Sequence, residues 1–305
     1  MNHTVRYDLA VERHEVGEGS VRGMLPDHRA TYARAILASL VSSVAVVPLG
    51  VWARQFDLAV GRVPLLDHPG RGYWLVALAL ALLLGAIFQL VSRSTRKLVE
   101  MTSGPGLRQG PVVALPTAWI VPVIVSLSAS MMLAIYHSEA ALVCVALGVF
   151  VADATSSISR HHLFDNDPAI VDRAHGFHTI IVHVVAFLAL AMIYVNKLPS
   201  RYSAVAVFVA VLLLLLLITE GEPVDFAHRL VFGLVGGVLL GELTWMLNYW
   251  AATGWAGGAV LLVFFYLAAG LILAQVHQGV QPRDLIEYGG VSLGAFVVVM
   301  VSLFR

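Results

Sequence analysis

"RLVFGLVGGVLLGELTWMLNYW", residues Arg229 to Trp250, places one acid, Glu242, in a run dominated by Val, Leu, Gly and aromatic side chains. Its length matches the roughly 20 residues that cross the hydrocarbon core of a bilayer as a helix. In lipid the backbone must satisfy its own polar groups, so a run of this kind reads as a helix. Gly233, Gly237 and Gly241 recur every fourth residue. That doubled G-x-x-x-G removes side chains from one edge and lets another helix backbone come close. At about 100° per residue Thr244 and Asn248 share the glycine edge. Glu242 falls on a different face, with Val238, Trp245 and Tyr249. The helix therefore has a close-packing edge and a polar-aromatic edge.

The rest of the chain agrees with this reading. Of 305 residues, 59% are hydrophobic and 12% charged, and the mean hydropathy is +0.83. Soluble domains carry about 25% charged residues, so the composition is that of a membrane protein. Nineteen bases balance nineteen acids, leaving no basic footprint for nucleic acid. The single cysteine, Cys144, excludes an intramolecular disulfide. After a polar tail, residues 1–34, nine apolar runs follow at about 35–53, 73–92, 112–136, 139–156, 176–195, 201–218, 229–250, 255–275 and 285–304. The expected fold is an all-α polytopic bundle of nine spans. The count falls to eight if 112–136 or 139–156 does not cross, since only "HSE" separates them. Residues 35–305 form one transmembrane domain with no inserted soluble domain. The runs 75–88 and 205–219 are apolar on every side and are expected to face lipid. Run 112–136, with Pro116, Pro122, Ser126, Ser128 and Ser130, is expected to pack inward. With the N-terminus inside, thirteen Lys and Arg lie on the cytoplasmic side and six outside, which is the arrangement that the positive-inside rule favours.

Glu242 has no Lys or Arg within any span to pair with. Ionisable residues at this depth usually face the bundle interior. The expectation is a neutral carboxyl donating to Tyr266, Ser126 or Ser130. Asp153 and His183, the latter about two turns inside the fifth span, complete the candidates for a proton- or ligand-linked role. Trp245, Tyr249, Trp250 and Trp255 have the spacing of an aromatic belt at the outer interface.

"GELTWMLNYW" and the following "GGAVLLVFFYLAAGLILAQVHQG" resemble the C-terminal signature of an uncharacterised bacterial multi-span membrane family. The resemblance covers roughly Gly233 to Gly279. It implies a polytopic membrane protein and carries over no catalytic residue.

A second polar concentration lies between spans four and five: "SRHHLFDNDPAIVDRAHGFHTIIVH". His161, His162, Asp165, Asp167, His175 and His178 are candidate ligands for a divalent metal. The loops holding Glu220, Glu222, Asp225 and His228, and His277 and Asp284, face the same side. H-E-x-x-H is absent, and the aspartates do not repeat as the paired motifs of nine-span prenyltransferases. "FDNDPAIVDR" reads instead as a short interfacial helix, with Asp167 as N-cap and Pro168 at its first position.

No nucleophile–base pair stands out, so the reading leans away from an enzyme and expects no cofactor. The favoured function is a structural or accessory component of a membrane assembly in the cell membrane. Its expected partners are membrane lipids and a protein or second copy docking on the glycine edge of Gly233, Gly237, Gly241 and Asn248. A proton-coupled transporter using Glu242 and His183 is the alternative, and a lipid-modifying enzyme at the cytoplasmic rim the second.

Overall fold

The computed structural model describes residues 28–55, 70–102, 116–163, 167–196, 198–222, 224–250, 254–277 and 279–303. Among them are nine α-helices and no strand: α1 (His28–Ala53), α2 (Arg71–Thr102), α3 (Ile120–Ile135), α4 (Glu139–His162), α5 (Pro168–Val195), α6 (Ser200–Ile218), α7 (Phe226–Asn248), α8 (Gly254–His277) and α9 (Pro282–Leu303). Eight are long and apolar enough to cross a membrane, and α3 is a shorter apolar helix. Residues 1–27 of the expected tail lie outside the described residues, as does Asp165. The last residues assigned to the tail, from His28 on, are already helical.

Helix α3 is the axis of the bundle. It packs against α1, α2, α4, α5 and α6, and twelve of its sixteen residues are buried. At about 1.5 Å per residue it is about 24 Å long. A helix enclosed by its neighbours need not reach from one lipid headgroup layer to the other. Pro122 falls in its first turn, where a missing N–H costs nothing. Ser128 and Ser130 return their hydroxyls to the carbonyls of Ile124 and Ser126, both at 2.8 Å.

The expectation that 205–219 faces lipid is corrected. Helix α6 packs against α3, α5, α7 and α8, and Val207, Val211, Leu214, Leu215 and Leu217 are fully buried. Uniform apolarity does not separate the two surfaces in a bilayer, because lipid tails are as apolar as leucine. Helix α2 does face outward, with Leu75, Leu82, Leu83 and Leu90 exposed.

The α6–α7 contact is the most extensive in the bundle, and glycine explains it. A Cβ on Gly237 would sit 2.9 Å from the Phe208 carbonyl oxygen; on Gly241, 3.1 Å from that of Ala204; on Gly233, 3.1 Å from that of Leu212. Ala204, Phe208 and Leu212 are spaced by four, so this ridge of α6 lies along the glycine groove of α7. Thr244 is buried on the same edge, and the Asn248 amide donates to Ser203 Oγ at 2.7 Å. The docking edge expected for a partner is thus filled from within the chain.

Candidate functional site: a polar rim at one end of the bundle

The helix ends converge as an alternating bundle requires. The C-termini of α4, α6 and α8 meet the N-termini of α1, α3, α5 and α7. Tyr32 of α1 reaches His162 of α4, Oη to Nε2, at 2.6 Å. Arg160, also on α4, pairs with Glu220 after α6 at 2.6 Å, and donates to Thr117 Oγ1 before α3 at 2.8 Å. All three are buried. Polar groups dominate here because helix C-termini favour cations: Arg160, His161 and His162 close α4, and His277 closes α8.

Beside that pair lies the α6–α7 turn. Gly221 adopts φ +90°, and a Cβ there would sit 3.0 Å from His175 Nε2. Both facts require glycine. Glu222 is buried, with His175 Nδ1 at 3.7 Å and His277 Nε2 at 3.5 Å. His277 donates from Nδ1 to the Leu273 carbonyl at 2.7 Å. Arg229, almost fully buried, donates from Nε to the Val224 carbonyl at 2.9 Å and from its guanidinium to that of Glu222 at 2.5 Å. Asp225 and His228 bond side chain to side chain at the surface, and that bond holds the Asp225 carboxyl below the usual carboxylate range.

The candidate metal ligands take separate partners. Asp167 caps α5, accepting from the Ala169 amide at 2.9 Å. The expected interfacial helix is instead the first turns of α5, which runs unbroken from Pro168 to Val195. His175 and His178 lie three residues apart on it, yet His175 turns to Glu222, whereas His178 is fully buried and donates from Nε2 to the Leu217 carbonyl at 3.1 Å. His161 meets Tyr32 edge-on and His162 lies tilted against it. Among the described residues no group of three His, Cys, Asp or Glu is spaced to hold a metal ion. The rim is a structure of caps and one buried ion-pair network.

The candidates inside the membrane also separate. His183 donates from Nδ1 to the Thr179 carbonyl at 2.7 Å and packs against Phe265 and Tyr266, with ring centroids at 5.4 and 5.7 Å. Tyr266 continues to Tyr288 at 5.8 Å. Glu242 is on another helix and faces outward, exposed on the bundle surface and without a hydrogen-bond partner among the described residues. The expected bonds to Tyr266, Ser126 or Ser130 do not form. The reason is helical phase: α7 turns Gly241 and Thr244 to α6, and this carries Glu242 outward with Trp245, Met246 and Tyr249. Asp153 behaves oppositely. It is fully buried where α4 meets α1, and neither carboxyl oxygen has a hydrogen-bond partner among the described residues. Ser42 lies beside the carboxyl without reaching bonding geometry. Nothing in the spacing of α1 and α4 marks Ser42 as its neighbour.

A model of the DUF5656 family, described as a protein of unknown function, matches residues 53–302. The chain belongs to that family. The DUF5656 match begins at the last residue of α1 and ends in the last turn of α9, so it takes in the Arg160–Glu220 pair, the α6–α7 seam and Glu242. No curated protein and no solved structure matches the chain. This DUF5656 chain is a helical membrane protein of unknown activity.

Proposed function

We propose that the chain is a non-enzymatic component of an assembly in the cell membrane, and that the assembly is built from copies of this chain meeting at the outward face of α7. One observation carries the reading: Glu242 is exposed on the side of a helix long and apolar enough to span the membrane. It lies six residues before the end of α7, or about 9 Å. An acid facing lipid near a helix centre costs about 2.5–3.5 kcal/mol on the insertion scale, and less towards the interface. A protonated carboxyl both donates and accepts, so two copies of one face related by a two-fold axis satisfy each other. Val238, Trp245, Met246 and Tyr249 supply exposed contact area around the acid.

The transport reading is the less favoured one, because Glu242 faces outward on α7 whereas His183 packs against Phe265 and Tyr266 of α8. The test is cross-linking in native membranes. In a Cys144→Ser background, Met246→Cys is expected to give an oxidised dimer, and Val209→Cys on the exposed face of α6 is expected to give none. Glu242→Leu should weaken self-association several-fold, in line with about 0.6–1.7 kcal/mol for a hydrogen bond between membrane helices. A chain that stays monomeric in single-molecule counting, with no Met246→Cys cross-link, overturns the proposal.

A further inference from the structure

A groove of about 340 Å³ runs along the outside of the bundle between α4 and α5. It is independent of the α7 face. Thr155, Ile158, Ser159 and His162 line one wall at helical spacing, and Ile170, Arg173, Ala174, Phe177 and Ile181 line the other. The Ser159 hydroxyl donates to the Ala174 carbonyl at 3.1 Å, which ties the two helices together at the floor. The Thr155 hydroxyl is taken by the Val151 carbonyl at 2.6 Å. Below the rim, therefore, the walls offer hydrocarbon alone.

Two basic residues, Arg173 and His162, stand at the rim end of this apolar lining. Arg173 is exposed and pairs with no acid among the described residues. His162 is held in place by Tyr32. Of the nearby acids, Asp167 is turned to the amide of Ala169, and Asp172 is exposed on the adjoining helix position. From Ile170 to Ile181 the wall descends about 16 Å at 1.5 Å per residue.

We infer that this groove binds one anionic phospholipid of the surrounding leaflet, with its phosphate at Arg173 and His162 and an acyl chain lying against Ile158, Phe177 and Ile181. Size supports the assignment, since ligand sites measure about 300–1,000 Å³. Charge supports it too, because basic pockets between membrane helices near one headgroup layer take anionic lipid heads. A protein helix would fill the hydrocarbon part but has no use for the arginine at its mouth.

The test is native mass spectrometry of the full chain, released from micelles containing phosphatidylglycerol or phosphatidylcholine. The wild-type chain should retain one phosphatidylglycerol in preference to phosphatidylcholine. Arg173→Gln, at an exposed position that leaves the fold intact, should cut that preference about fivefold. Ile181→Trp should fill the groove and lose both lipids, with the melting temperature checked against wild type. Excess inorganic phosphate should not displace the lipid. Equal retention of the two lipids by the wild-type chain overturns the inference, as does a preference that survives Arg173→Gln. Displacement by free phosphate, with no effect of Ile181→Trp, assigns the site to a small anion and overturns it as well.

Discussion

Arg160 and Glu220 show how much rests on single residues in this protein. They form a buried ion pair at 2.6 Å, with Thr117 as a further acceptor. Removing one partner of such a pair leaves a buried charge and costs about 3–5 kcal/mol, whereas replacing both by apolar groups is often neutral. Arg160→Met and Glu220→Leu are each expected to lower the detergent-solubilised melting temperature sharply, and the double variant to recover most of it. Equal loss in the singles and the double would mean the pair is not what holds the rim. Asp153 should respond in the opposite sense. Its oxygens are buried without hydrogen-bond partners among the described residues, and such groups cost about 1–3 kcal/mol. Asp153→Leu should therefore raise stability in thermal unfolding, and a fall would reveal that the carboxyl holds something. The residue types at the rim were legible from the chain, but their pairing was not. Arg160 and Glu220 are sixty positions apart, and spacing along a sequence carries no information about which helix ends meet. Glu242 drew attention because it interrupts an apolar run, and only the phase of α7 against α6 decides that it faces outward.

At the scale of the element, glycine placement was the most readable feature and its consequence the least. The four-residue glycine repeat correctly marks an edge for close approach, yet any ridge of small and branched residues can occupy it. Here Ala204, Phe208 and Leu212 of α6 do so. Gly237→Ala should cost about 1–3 kcal/mol through overpacking, because its Cβ meets a backbone carbonyl that cannot turn away. Gly148→Ala, which meets nothing within 4 Å, should be neutral or slightly stabilising. Thermal unfolding of the two variants side by side checks this, and equal losses would count against the seam. Hydropathy located all nine helices but ended several short at the rim and began the third before Ile120, where α3 starts. Helix α1 begins at His28, α4 continues to His162 and α5 begins at Pro168, each by several residues beyond its apolar run. Those extra turns are polar because they stand in the rim, where capping and ion pairs replace hydrocarbon contact.

For the whole molecule, the contacts that join helix ends sort the loops into two sides. Tyr32, Thr117, His162, Glu220 and His277 meet at one end. Arg54 and Glu139, 3.8 Å apart, and Trp255 and Tyr136, 3.0 Å apart, mark the other. Among the described residues Arg29, Arg34, Arg160, Arg173, Arg229 and Arg283 stand at the rim end and Arg54, Arg71 and Arg201 at the other, so the rim is the richer in bases. Positive charge near span ends is retained in the cytoplasm, so the rim is expected to be cytoplasmic and the α3–α4 turn external. Two exposed positions separate the possibilities. In a Cys144→Ser background, His137→Cys lies in the α3–α4 turn and Gln281→Cys just before α9. A membrane-impermeant maleimide added to intact cells should label His137→Cys, and should reach Gln281→Cys only after the membrane is permeabilised. The reverse pattern would place the rim outside. The buried Arg160–Glu220 pair and the buried Arg229 would then stand against the positive-inside rule, and the lipid drawn to Arg173 would have to come from the outer leaflet.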